Sequence, residues 1–303
     1  LSGSGQVENS ILANPYLLIN RLFSYSFHVF GAPASAKIGA KQKSSPTMSE
    51  KIYEDLLASK KAGRKKFAVL IDPDKVRLGN MKKVLKLAVE ARVDYFFIGG
   101  SLIVNNMLDH CLESIREECH IPMILFPGNS FQLSYRADAL LFLSLISGRN
   151  AELLIGNHVI AAPYLKLSPL EILPTGYMLV DGGTPTTVSY MSNTNPIPSQ
   201  KEDIAVCTAM AGEMLGLKLI YLDAGSGAKN PVPESMIASV SGAVSAPVIV
   251  GGGIRTPEKA LANIRAGADV VVVGNAIEKD PGLVLEMAET IHAFVSEGGE
   301  AHV

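Results

Sequence analysis

Charge of one sign is what this chain most plainly lacks: 27 lysines and arginines stand against 29 aspartates and glutamates, a net charge of −2. No basic cluster stands out, so nucleic acid is not an expected partner. Cysteine is scarce as well. Cys111, Cys119 and Cys207 are an odd three with no metal-like pairing, which fits buried thiols in a reduced cytoplasmic setting better than a disulfide frame. No stretch reaches the roughly 18 to 20 uninterrupted apolar residues of a membrane span. His110, His120, His158 and His292 fall in or beside expected helices without ligand spacing, so they are not read as metal ligands.

What the chain does have is apolar mass, 48% of its 303 residues, enough for one large core. Residues 1–47 differ in character from the rest. Leu1-Ser2-Gly3-Ser4-Gly5 opens the chain, whereas Met48-Ser49-Glu50-Lys51 resembles a natural start. The apolar stretch from Pro15 to Phe30 is interrupted by Asn20, Arg21, Ser24, Ser26 and His28, and no basic region precedes it. A secretory signal is therefore not expected, although Ala32 to Ala36 resembles a cleavage region. The organisation expected is a leader or extended frame over 1–47 and a single domain over 48–303.

From Met48 onward strands and helices alternate. Lys51 to Lys61 reads as a leading helix, and the continuous apolar run Phe67 to Ile71 reads as a strand buried on both faces. Further strands are expected at Tyr95 to Ile98, Pro122 to Phe126, Ala139 to Ile146, Ile172 to Val180, Leu219 to Leu222, Val248 to Val250 and Val270 to Val273. Helical spacing falls between them at Asn80 to Ala91, Ile103 to Glu118, Ala151 to Leu165, Lys201 to Leu215 and Pro233 to Val244. Ser130 to Arg136 is short for a crossover helix, so the third unit is expected to be modified or to lack one. The fold class this implies is α/β, a closed (β/α)8 TIM barrel.

Such barrels hold their sites at the C-terminal ends of the strands. The residues there are Asp72-Pro73-Asp74-Lys75, Gly99-Gly100-Ser101, Pro127-Gly128-Asn129, 144–150, Asp181-Gly182-Gly183-Thr184, Asp223-Ala224-Gly225-Ser226-Gly227, Gly251-Gly252-Gly253 and Gly274-Asn275. Glycine lets a backbone approach a ligand closely and take positive φ, and tight turns use it for the same reason. After the seventh strand, Thr256 is placed as an N-cap with Pro257 in the first helical position. With Gly274-Asn275 beside them, these glycines suit a phosphate bound by backbone N–H groups, while leaving the reaction open.

Asp72 is positioned either to bind Mg²⁺, which takes one or two carboxylates plus substrate phosphates, or to cap its turn. Ser101 suits a metal or diphosphate shell and equally a helix cap. Lys75 suits a diphosphate or plain solvent. Asp223 suits proton abstraction from a hydroxyl or the holding of a glycerol-like polyol, and equally a turn or helix cap. Tyr221 alternates with Asp223 and so points the same way; if that way is inward, it lies one layer below the site or serves as a core aromatic.

Leu70 to Lys75, Phe97 to Leu102, Gly176 to Ser192, Tyr221 to Ala228, Gly251 to Arg255 and Val272 to Ala276 together resemble the geranylgeranylglyceryl phosphate synthase family. The likeness runs from about Met48 to the C-terminus, and Tyr221-Leu222-Asp223-Ala224-Gly225-Ser226-Gly227-Ala228 is its most specific piece. Gly176 to Gly183 and Thr187 to Ser192 look like the bacterial, Bacteroidetes-type branch. The resemblance implies a prenyltransferase moving a polyprenyl group from its diphosphate to the hydroxyl of sn-glycerol 1-phosphate with Mg²⁺, towards an ether lipid. It implies that Asp72 and Ser101 hold the metal. Tyr221, Leu222, Asp223, Ala224, Gly225, Ser226, Gly227, Gly252, Gly253, Gly274 and Asn275 are implied to hold the acceptor, with Asp223 as base.

One departure stands out: where the family often has glutamate, Asp223 is one methylene shorter. A polyprenyl tail also requires an apolar groove, expected near the helices around the third and fourth strands. The resemblance further implies a homo-oligomer, dimer or hexamer, and peripheral membrane contact for the lipid substrate. Competing expectations are another phosphate-substrate barrel, such as a sugar-phosphate isomerase or thiamine-phosphate-type synthase, and a non-catalytic barrel that binds phosphorylated ligands.

Overall fold

A computed structural model describes residues 51–74, 78–100, 107–129 and 132–294. The leader, Lys75 and Ser101 lie outside the described residues. Helix α1 (Lys51–Lys61) precedes β1 (Lys66–Ile71), followed by α2 (Leu78–Glu90), β2 (Tyr95–Ile98), α3 (Leu108–Glu118) and β3 (Met123–Leu125). Then come β4 (Ala139–Leu145), a π-helical turn (Glu152–Gly156) running into α4 (Asn157–Lys166), β5 (Glu171–Leu179), α5 (Thr187–Ser192) and α6 (Glu202–Met214). Next come β6 (Leu219–Asp223), α7 (Glu234–Ala243), β7 (Val248–Gly251), α8 (Pro257–Arg265), β8 (Val270–Val273), α9 (Asn275–Lys279) and α10 (Leu283–His292).

The eight strands pair in parallel and in sequence order, and β1 closes on β8 with Lys66 opposite Val270. The expected barrel is thus the observed one. Among the described residues between β3 and β4 there is no helix, as the short segment there implies. The helix expected over Ala151 to Leu165 starts instead as the wider π-turn. Sequence pattern does not announce α5, because its capping box uses Thr186 and Ser189 rather than the usual Glu or Gln partner.

Strand alternation sorts side chains into two cores. Val69, Phe96, Ile220, Leu222 and Val250 face outward into the layer beneath the helices. Ala68, Phe97, Leu173, Tyr221 and Ile249 fill the barrel interior. At the N-terminal end α1 is tied to the barrel by Glu171, whose carboxylate accepts the N–H groups of Ile52 and Tyr53 at 2.9 and 2.8 Å. That end carries stability, which leaves the opposite mouth for chemistry. Cys111 and Cys119 are buried as expected; Cys207 is exposed, which corrects the expectation of three buried thiols. It lies on α6, whose buried positions are Ala205, Ala209 and Gly212, so helical spacing turns it outward. No helix of the described residues is long and apolar enough to cross a membrane.

Candidate active site

At the C-terminal mouth the loops after β6, β7 and β8 are tied to one another. Asn275 Nδ2 donates to Ser226 Oγ at 3.2 Å, joining the β8 and β6 loops. Arg255, after β7, donates to the carbonyls of Ala228 at 2.6 Å and Lys229 at 3.1 Å. Sequence reasoning does not single out Arg255, since its role depends on where the β6 loop folds back. Thr256 caps α8 by accepting from Lys259 N, with Pro257 in the first turn, as expected.

The glycines make these close contacts possible. Gly252 has φ +79°, and a Cβ there would lie 2.5 Å from Asp223 Oδ1 and 2.7 Å from the nitrogens of Ala224 and Gly225. A Cβ on Gly251 would lie 2.6 Å from the Tyr221 hydroxyl. Gly252→Ala combines left-handed strain with overpacking, so it is expected to cost about 2 to 5 kcal/mol in urea unfolding. Gly216, at φ +89° with nothing within 4 Å of where its Cβ would stand, supplies the control. Gly216→Ala is expected to cost only about 1 to 2 kcal/mol; equal losses would show that crowding at Gly252 is unimportant.

Together the loops wall a polar cavity of about 580 Å³. Tyr221, Asp223, Gly225, Ser226 and Gly227 line it, as do Gly252, Gly253, Gly274 and Asn275, with Asp72 from the end of β1. Leu222 and Ala224 do not: both side chains lie in the outer core. Strand alternation points the Leu222 side chain away from the barrel axis, so the cavity meets these two positions through backbone if at all. Asp72 is buried and accepts the N–H of Asp74 at 3.1 Å. Gly100 leaves it room, since a Cβ there would stand 3.2 Å from the Asp72 carboxylate.

Asp223 is buried at the end of β6. Its Oδ1 accepts the N–H of Gly225 at 2.8 Å, and its Oδ2 accepts the hydroxyl of Tyr177 at 2.6 Å. Burial pushes the Asp223 carboxyl above the ordinary carboxylate range, while these two hydrogen bonds pull it back. Burial and the Asp223 charge hold the phenols of Tyr177 and Tyr221 protonated. Tyr177 is a site residue that sequence reasoning misses. It reaches the carboxylate through the β5–β6 register, in which Tyr177 pairs with Tyr221 and Leu179 with Asp223. The available signal is its parity: Leu173, Tyr177 and Leu179 all face inward.

Beneath the carboxylate, Phe126 stacks on Tyr221 with centroids 5.4 Å apart, and Tyr177 meets Tyr221 edge-on at 5.5 Å. A second cavity, of about 320 Å³, extends from here past β3 and β4 to α4 and α5. Leu140, Leu141, Leu153, Ala161, Leu165 and Val188 give it an apolar wall. This is the region where an apolar groove is expected. Gly100, Phe126 and Tyr177 line both cavities, so the two meet beside Asp223.

Architecture and paired cavities place the molecule among the (β/α)8-barrel enzymes. The PcrB family model matches residues 60–296. The chain is 58% identical to the geranylgeranylglyceryl phosphate synthase of Chitinophaga pinensis over 246 residues, 81% of this chain and 98% of that protein. It is 44% identical to the geranylgeranylglyceryl phosphate synthase of Flavobacterium johnsoniae, over 76% of this chain and 94% of that one. It is also similar to the crystal structure of (S)-3-O-geranylgeranylglyceryl phosphate synthase from Thermoplasma acidophilum in complex with substrate sn-glycerol-1-phosphate. There the TM-score is 0.75 at 33% identity, covering 80% of this chain and 98% of the other. The chain belongs to the PcrB family, as a prenyltransferase of the geranylgeranylglyceryl phosphate synthase group.

Proposed function

We propose that this protein transfers a polyprenyl group, geranylgeranyl foremost, from its diphosphate to the hydroxyl of sn-glycerol 1-phosphate, with Mg²⁺. The observation that carries the reading is the junction at Tyr177, where an apolar cavity meets a polar one beside a hydrogen-bonded carboxylate. A sugar-phosphate isomerase or thiamine-phosphate-type synthase would have no use for the apolar cavity. Assembly as a homo-oligomer is part of the same proposal.

The acceptor's phosphate is held at Gly252, Gly253, Gly274 and Asn275, with the loop from Tyr221 to Gly227 around the glycerol. Leu222 and Ala224 contribute through their backbone alone. The prenyl tail occupies the cavity between β3, β4 and α4, which brings its allylic carbon to Phe126 and Tyr177. Their ring faces suit the positive charge that develops there. As the bond from that carbon to the diphosphate breaks, the glycerol oxygen bonds to the carbon and Asp223 takes the hydroxyl proton.

Among the described residues no group of three or more His, Cys, Asp or Glu side chains is placed to hold a metal ion. Asp72 alone still fits Mg²⁺, which accepts one or two carboxylates and completes its shell with substrate phosphates and water. Asp72, with Ser101 by family resemblance, would hold the ion, which when bound stabilises charge on the departing diphosphate.

Tyr177→Phe removes a hydrogen bond that lowers the Asp223 pKa. The base works when ionised, so activity is lost as pH falls through that pKa. The acidic limb of the kcat/KM profile is therefore expected to move to higher pH, so that the variant reaches its plateau later on the alkaline side. An unshifted limb would separate Asp223 from that titration. The function itself is tested by label transfer from prenyl diphosphates of graded length to sn-glycerol 1-phosphate, with and without Mg²⁺. Mg²⁺-dependent transfer is expected; none with any donor would end the proposal.

A further inference from the structure

Between β3 and β4, where no helix stands among the described residues, the chain buries an amide instead. Gln132 is only 5% exposed. Its Oε1 accepts the N–H of Gly128 at 2.9 Å, and its Nε2 donates to the carbonyl of Gly100 at 3.1 Å. One side chain thus joins the loop after β2 to the loop after β3. The two loops offer a backbone donor and a backbone acceptor, and a primary amide carries the matching acceptor and donor.

Gln132 lines neither cavity, but the backbone it holds does. Gly100 lines both, and Gly128 lines the apolar one beside Phe126. There is little slack at this seam. A Cβ on Gly99, at φ +149°, would stand 2.1 Å from the Phe126 carbonyl oxygen, and one on Gly100 3.2 Å from the Asp72 carboxylate. Packing this close transmits a shift of the β2 loop to Asp72 on one side and to the rim of the apolar cavity on the other. The segment carrying Gln132 is itself anchored to α3. Ser134 donates to Asp109, and Arg136 pairs with Glu113 at 2.9 Å.

We propose that Gln132 is a positioning residue for the donor: by clipping the β2 and β3 loops together, it sets the seam where the tail cavity meets the Asp72 side of the polar one. Its bearing on a prenyl diphosphate rests on the proposed function. The acceptor is assigned to the loops after β6, β7 and β8, which Gln132 does not touch, so acceptor binding is spared.

Calorimetry well below the thermal midpoint tests this with two probes, an unreactive thiodiphosphate analogue of a prenyl donor with Mg²⁺ and sn-glycerol 1-phosphate. Gln132→Met keeps the length of the side chain and leaves the Gly128 N–H and the Gly100 carbonyl without their partner. It is expected to weaken binding of the donor analogue at least about tenfold while acceptor affinity stays within about twofold. Gln132→Glu, the smaller change, keeps the acceptor for Gly128 and loses the donor to Gly100. It is expected to fold even where the methionine variant does not, and to show the same split. Ser134→Ala loosens the anchor but not the clip, so it is expected to lower the thermal midpoint by a few degrees and leave both affinities within about twofold.

A wild-type protein that does not bind the donor analogue would end the functional reading and this proposal together. A wild type that binds it, with a folded Gln132 variant that binds it equally well, overturns the proposal alone. So does an equal loss of both ligands in the Gln132 variants, or a Ser134→Ala variant that loses as much donor affinity, because affinity would then follow the stability of the segment.

Discussion

Asp223→Asn is expected to lower kcat/KM for prenyl transfer by about 10²- to 10⁴-fold while the barrel stays folded. Asparagine keeps the shape and retains an oxygen for the Tyr177 hydroxyl or the Gly225 N–H, the carboxylate's two hydrogen-bond donors. What it loses is the ability to take a proton. Single-turnover rates with both substrates saturating would place the loss in the chemical step rather than in binding. A variant with near-normal rates would mean that the hydroxyl proton leaves by another route.

Where the resemblance leads to an expectation of glutamate, this chain has Asp223. Asp223 has the shorter reach, yet both of its oxygens are already held, one from β5 and one from its own loop. On the proposed function, the acceptor hydroxyl has to come to the carboxylate. Gly252 helps set that approach, because any Cβ there would press on Asp223 Oδ1.

The second large effect is expected at the far side of the polar cavity. Asp72→Ala should cut transfer by about 10²- to 10³-fold at fixed Mg²⁺ and raise the Mg²⁺ concentration needed for half-maximal rate, since charge on the leaving diphosphate is then poorly offset. Titrating Mg²⁺ against rate at several donor concentrations checks it. Full activity with unchanged Mg²⁺ dependence would remove Asp72 from the metal site. Asp72 and Asp223 line one cavity from β1 and β6, so the two variants are expected to fail in different ways: one in its metal titration, the other in its pH profile.

Much of this arrangement is legible in the chain because it obeys local rules. Tyr95 to Ile98 and Val270 to Val273 are short apolar runs, and both are strands with the expected bounds. Thr256 and Pro257 announce α8 by capping chemistry alone. Alternation places Tyr221 and Asp223 on one side of β6, and the same rule sends Leu222 to the other. What escapes depends on distant pairing. Tyr177 is an ordinary tyrosine until β5 registers against β6 and brings its hydroxyl to Asp223. Arg255 gains its role only when the β6 loop returns its carbonyls towards β7. The apolar cavity is likewise assembled from β3, β4, α4 and α5, and no periodicity within one of them encloses a space.

Acceptor and donor are proposed to occupy the two cavities that meet beside Asp223. A crystal structure with sn-glycerol 1-phosphate and an unreactive thiodiphosphate analogue of a prenyl donor tests it most directly. The acceptor phosphate is expected against Gly252, Gly253, Gly274 and Asn275, its hydroxyl at Asp223, and the tail running past Phe126 and Tyr177 towards α4. A tail lying elsewhere, or a glycerol hydroxyl turned away from Asp223, would contradict it.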